Sequence, residues 1–157
     1  MQRAERGFTE RDVKWAAQEC SWQVSGEMSV WWMLTGLQFA RDTFPSSPMP
    51  TLADVITVGQ LVEPNVNREG FRRVGVRVGS SIKPDWLEVP DLLDDLISRP
   101  PKEPKDYFEV FEEIHPFRDG NGRTGNILYN WVGGTLDKVI FPPNLWDDWR
   151  RYDGPPR

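Results

Sequence analysis

Apolar residues recur at helical spacing over most of the chain, and one segment breaks that rhythm. Thr9-Glu10-Arg11-Asp12 has the spacing of a capping box, and Val13, Ala16, Ala17, Cys20 and Val24 then share one helical face. Gly26 interrupts, and a second apolar run follows from Met28 through Trp31, Trp32 and Leu34 to Phe39. Trp31 and Trp32 read as core and helix-packing residues. The prolines of residues 44–50 make that stretch a loop. Thr51 and Asp54 form another capping box, with Val55, Ile56 and Val58 behind them.

The period changes at residues 71–79, where valines alternate with glycine and arginine. That is a strand reading, and the glycines make it a short exposed hairpin or edge. Pro90 then opens a short helix through Leu92, Leu93, Leu96 and Ile97, which Pro100-Pro101 stops. Pro104 opens another, with Tyr107, Phe108, Phe111 and Ile114 at helical spacing. Its natural end is His115, because Pro116 disfavours helical backbone in the residue before it. A last helix runs from about Gly122 through Ile127, Leu128, Trp131 and Val132 to Gly133-Gly134. The predicted fold is mainly α, a compact helical bundle with a small β-hairpin.

Composition narrows the class. The 157 residues suit one domain, with a core over about residues 9–142 and frayed tails at 1–8 and 153–157. Eight tryptophans supply large apolar surfaces to a small core. No apolar run has the length of a membrane helix, and the first residues lack the apolar stretch of a secretory signal. The single cysteine excludes an internal disulfide and fits a reducing cytoplasm, or a route of injection or secretion that needs no signal. A net charge of -5 argues against broad binding to nucleic acid. There is one histidine, so any histidine chemistry belongs to His115.

Residues 115–126 read His-Pro-Phe-Arg-Asp-Gly-Asn-Gly-Arg-Thr-Gly-Asn. Gly120 and Gly122 let backbone N–H groups crowd around an anion, and the start of the next helix adds free N–H groups and a positive dipole end. Arg123 can fork onto phosphate oxygens, Asp119 can hold a magnesium ion that also touches phosphates, and His115 can take a proton from a hydroxyl. These are the parts needed to move a phosphate-containing group from a nucleotide to an acceptor. Taken singly, each has a blander reading: a helix-end histidine, a turn aspartate, a glycine turn and a solvated arginine. Their joint order favours the site.

This stretch resembles the signature of the Fic (Fic/Doc) family, His-x-Phe-x-Asp/Glu-Gly-Asn-Gly-Arg-x-x-Arg, and matches it at every fixed position except the last. Residues 68–79 also look like the family's target-holding hairpin, the flap, with Gly70, Phe71, Arg72, Arg73 and Val74 at its start. The arginines Arg72, Arg73 and Arg77 fit a solubilising edge as well as a target-reading one. The order of helices and flap agrees with the family from Thr9 to about Pro142. The resemblance implies a Fic fold, with His115 as general base, Asp119 as magnesium ligand and Phe117 as a core anchor. Gly120, Asn121, Gly122, Arg123 and Asn126 would form the nucleotide and phosphate site. It implies transfer of AMP from magnesium-bound ATP to a protein hydroxyl (AMPylation), or of a related phosphate-containing group. A Doc-like protein kinase and a non-catalytic nucleotide-binding module are the alternatives. Toxin, effector and housekeeping roles all fit.

Two departures from the family pattern matter. Asn126 stands where the final arginine would grip the γ-phosphate. Losing such a charged contact removes on the order of 1.5–3 kcal/mol. The Doc branch also lacks this arginine, but it carries a lysine where this chain has Gly122. In addition, Ser21-x-x-x-Ser25-Gly26 resembles the family's inhibitory helix with Ser25 in place of its glutamate. Both halves of the inhibitory ion pair are then missing. The plainer reading makes Ser25 the N-cap of the next helix. An antitoxin-like partner that supplies a glutamate stays open as a regulator, although it would find no arginine at Asn126.

Overall fold

Short-range signals set most element ends. The computed structural model describes residues 7–22 and 26–143. Six α-helices are found among these: α1 (Glu10–Trp22), α2 (Met28–Thr43), α3 (Leu52–Val62), α4 (Val89–Ser98), α5 (Pro104–Ile114) and α6 (Asn121–Gly133). Between α3 and α4 lies one antiparallel pair, β1 (Arg77–Val78) and β2 (Ser81–Ile82), in register Arg77↔Ile82 and Val78↔Ser81. The architecture is mainly helical with a small hairpin, in agreement with the sequence.

Both capping boxes form. Thr9 accepts from the Asp12 N–H at 3.1 Å while Asp12 accepts from the Thr9 N–H at 2.9 Å. Thr51 and Asp54 make the same exchange ahead of α3. Proline lies in the first turn of both α4 and α5, where its missing N–H costs nothing. Helix α5 ends where Pro116 requires, with His115 as its C-cap.

Helix α6 is the centre of the packing, in contact with α1, α2, α3 and α5. Ile127, Leu128 and Trp131 are fully buried there, and α2 approaches closely through Gly36, where a Cβ would sit 3.0 Å from Ile127. Unusually for a central helix, Thr124, Asn126 and Asn130 are also fully buried. Each buried amide then needs partners from elsewhere in the chain.

Several expectations need correction. In α1 the buried face is Asp12, Trp15, Ala16, Glu19 and Cys20, while Val13 and Ala17 are exposed. The reason is an ion pair: Arg41 of α2 forks onto Asp12 at 2.8 and 2.9 Å and donates to the Leu136 carbonyl at 2.8 Å. Burial pushes the Asp12 carboxyl up, but the Arg41 fork and the Thr9 N–H outweigh it and hold the pKa below the usual value. The helix therefore turns toward its charged partner rather than toward Val13. Trp31 is 57% exposed, not core, whereas Met33, Leu34 and Leu37 are buried. The hairpin lies at 77–82 rather than 71–79, because the Arg72 N–H is turned to the Pro116 carbonyl and the Arg72 side chain to nearby carbonyls, so of residues 71–76 only Val76 meets the second strand, accepting from the Lys83 N–H. Phe8 packs against the core and so is not part of a frayed tail. Val24 and Ser25 lie outside the described residues, as do the tails at 1–6 and 144–157. The N-cap of α2 is Glu27. Ser21 is exposed and donates to the Gln18 carbonyl of its own helix, and nothing lies within 4 Å of a Cβ built on Gly26.

Candidate active site

The loop between α5 and α6 is fixed from below by Phe117. Its ring is fully buried against Gly59, where a Cβ would sit 2.1 Å from the ring, and it packs on Phe71 with centroids 5.5 Å apart. Only glycine at residue 59 leaves room for this anchor. Asn121 closes the loop by accepting from the Phe117 N–H and donating to the Phe117 carbonyl, both at 2.8 Å. Asn67 adds a tie from beyond α3, donating to the Gly59 carbonyl at 3.0 Å and to the Asp119 carbonyl at 2.9 Å.

These ties place the predicted residues unequally. His115 adopts left-handed backbone (φ 52°), a conformation costly for a side-chain-bearing residue and tolerated only where the surroundings impose it. The imposing group is Arg72. Its guanidinium is almost wholly buried and donates to the carbonyls of His115 (2.7 Å), Val74 (2.8 Å), Pro84 (2.6 Å) and Ile114 (3.3 Å). The Arg72 N–H also donates to Pro116 at 2.9 Å. The expectation of an exposed, target-reading Arg72 is therefore corrected: it clamps the flap to the end of α5. Gly70 is buried with φ 93° and Phe71 half-buried, so they too anchor the segment, while Arg73 and Val74 face solvent.

The His115 imidazole is half-buried, and its Nδ1 is buried without a hydrogen bond. Burial, and then the charges of Lys83 and Arg72, lower its pKa to about 4, against the opposing pull of the Glu112 backbone and Asp119. The ring is therefore neutral at physiological pH and free to accept a proton.

At the N-terminus of α6, Gly120 (φ 75°) turns the chain, and its N–H donates to the Asp119 carboxylate at 2.7 Å. The Asp119 side chain is 59% exposed. Arg123 is nearly fully buried and lies between two carboxylates, with Glu63 at 2.9 Å and Asp119 at 3.5 Å, and its Nε has no partner. Glu63, at the end of α3, is a site residue that sequence reading missed. Its side chain crosses the turn so closely that a Cβ on Gly120 would meet it at 3.0 Å. Lys83 was also missed. It is 7% exposed beside the histidine, and no motif spacing marks either residue.

Asn126 does not join this group. It is fully buried, and its Oδ1 accepts from the indole N–H of Trp15 and from the Asn130 amide, each at 3.1 Å. Arg123 and Asn126 are three residues apart, yet the first turns to the loop and the second to α1. The expected phosphate contact of Asn126 is corrected by that burial. A neutral Trp15–Asn126 bond joins α1 to α6.

The arrangement fits the comparisons with known proteins. The model of the Fic/DOC family matches residues 50–132, just over half the chain, and the chain belongs to the Fic/DOC family. Members of this family are generally transferases. The matched span runs from the start of α3 into the last turn of α6, so it holds the flap and the whole 115–126 loop, while α1 and α2 precede it. No curated protein matches the chain. No helix among the described residues is long and apolar enough to cross a membrane.

Proposed function

We propose that this chain transfers a nucleotidyl group, with AMP from ATP the leading case, to a hydroxyl of a protein held at the flap. The observation that carries this reading is the state of His115. It is a half-buried, uncharged imidazole whose Nδ1 has no hydrogen bond, held in left-handed backbone at the start of the loop that leads into α6. Binding a nucleotide alone needs no such base. In the step itself the target's hydroxyl oxygen attacks the α-phosphorus, and the bond from that phosphorus to the bridging oxygen breaks. Pyrophosphate leaves, and the hydroxyl proton passes to His115. The free N–H groups at the start of α6 and the Arg123 side chain would carry the phosphate charge.

Magnesium fits the residues present in a limited way. No group of three or more His, Cys, Asp or Glu side chains is gathered as a metal site among the described residues. Asp119 offers a half-exposed carboxylate, and magnesium commonly pairs one or two carboxylates with substrate phosphates. Asp119 would hold the ion, and the ion would neutralise phosphate charge.

The test is intact-mass spectrometry of the protein with an unspecific acceptor and magnesium plus ATP, UTP or CTP. Addition of a nucleotide monophosphate supports the proposal, whereas addition of a bare phosphoryl group makes the enzyme a Doc-like kinase. His115→Asn keeps a side chain that tolerates left-handed backbone. It should lower transfer by roughly 10²–10⁴-fold with nucleotide binding retained. Unchanged transfer would remove His115 from the reaction, and binding without any transfer in the wild type would leave a nucleotide-binding module.

A further inference from the structure

Beside the loop lies an open groove of about 530 Å³ whose wall includes Arg68, Arg72, Arg73 and Arg118 and a single carboxylate, Glu69. Three exposed arginines, Arg68, Arg73 and Arg118, with the buried Arg72 behind them, against one glutamate make it a positive surface on a chain whose net charge is -5. Its charge is poorly answered from within. Glu69 reaches Arg73 only at 3.8 Å, with both side chains more than two-thirds exposed. Arg72 gives its hydrogen bonds to carbonyl oxygens, and Asp85 acts on it through its charge without a hydrogen bond. Arg68 and Arg118 are exposed. Val66 and Val74 add exposed apolar patches to the same wall.

We infer that this groove selects the protein acceptor by holding an acidic segment next to the hydroxyl to be modified. The inference rests on the proposed transfer to a protein at the flap and names what that protein must carry. Three features favour a carboxylate-bearing peptide over a nucleotide. The groove is built from the flap segment 65–74 and Arg118, not from the amides of a helix N-terminus, which phosphate prefers. Its floor mixes guanidinium and valine surface, which suits an extended peptide with acidic and apolar residues in alternation. Arg118 stands in the same loop as His115, so a segment gripped there leads toward the base. Such surface arginines act through complementary charge and raise selectivity and association rate more than final affinity. On a chain of net charge -5, a locally positive groove draws an acidic segment toward it.

The experiment uses the full chain and two fluorescent peptides of equal length, each with a central serine, one flanked by glutamate and valine and the other by lysine and valine. Fluorescence anisotropy should show the glutamate peptide bound roughly tenfold more tightly at low salt, with the difference shrinking as salt is added. The combined variant Arg68→Ser, Arg73→Ser, Arg118→Ser changes exposed side chains only and should abolish the preference. Arg77→Ser, at the exposed hairpin, should leave it intact. Equal binding of the two peptides, or a preference that survives the triple variant, overturns the inference. So does displacement of the glutamate peptide by ATP without magnesium, which would make the groove part of the nucleotide site. Transfer is read separately by intact mass. A groove preference without transfer refutes the proposed reaction and keeps the groove, and transfer without a preference does the reverse.

Discussion

Two stretches of α6, one turn apart, treat polar side chains in opposite ways. Around residues 120–123 hydrogen-bonding capacity is left over: Arg123 Nε and His115 Nδ1 are buried and unpartnered, and the Asp119 carboxylate is half-exposed. Around residues 126–130 most of it is used, with only the Asn126 Nδ2 left buried and unpartnered among these residues. Asn126 takes the Trp15 indole, and Asn130 donates to Ile140 at 2.9 Å while accepting from Thr135 at 2.7 Å and from the Ile140 N–H at 2.9 Å. The first region leaves buried donors and acceptors without protein partners, whereas the second is mortar between α1, α6 and the segment after it. A buried polar residue announces chemistry only where its partners are missing.

The largest test of this contrast is Asn126→Arg. At a ligand-facing position the substitution would strengthen nucleotide binding. At this fully buried one it places a charge between the Trp15 indole and the Asn130 amide, neither of which can neutralise it. We expect a loss of stability of about 4 kcal/mol, read from denaturant unfolding, and no gain in ATP affinity. A stable variant that binds ATP more tightly would return residue 126 to the phosphate site.

Glu63→Gln comes next and probes the open region. Removing one member of a buried ion pair costs about 3 kcal/mol, at the low end of the usual range because Asp119 still lies near Arg123. The freed guanidinium should then welcome phosphate. Magnesium-ATP should therefore raise the melting temperature of this variant more than that of the wild type. Equal shifts would make Arg123 a structural residue only.

The third effect is read in pH and is small near neutrality. The folded His115 pKa of about 4 lies below the ordinary 6.5, so between these values the unfolded chain binds a proton that the folded one does not. Its contribution to stability is therefore full above pH 6.5 and falls as the pH drops toward 4. Replacement by asparagine should flatten that slope in acid unfolding curves. The acidic limb of the transfer rate should likewise lie below pH 6.5, and a limb at 6.5 would show that the base is not desolvated in the working enzyme.

What the sequence made legible was local. Thr51-Asp54 capping, Pro104 and Pro116 act over a few residues, so α3 and α5 could be placed before any contact was known. The order His115, Asp119, Gly120, Arg123 was readable for the same reason. Asn126 was not, because its partner Trp15 is 111 positions away, and a helical pattern alone cannot distinguish a ligand-facing amide from one facing another helix. The turn of α1 toward Asp12 depended on Arg41 in α2, and the place of Glu63 on Arg123 in α6, 60 residues later. Arg72 looked like surface because an arginine amid glycines and valines gives no sign of four waiting carbonyls.

That arginine has a consequence for how such a chain can diversify. One planar side chain with several donors joins the segment at Val74 to the peptide that carries His115, so the proposed gripping edge and the proposed base share a single hinge pin. Lysine, with one nitrogen, cannot span the same set of oxygens. Outward residues such as Arg73 and Val74 are then free to vary, and new clientele can be acquired without realigning the machinery. The pin itself tolerates no such experiment.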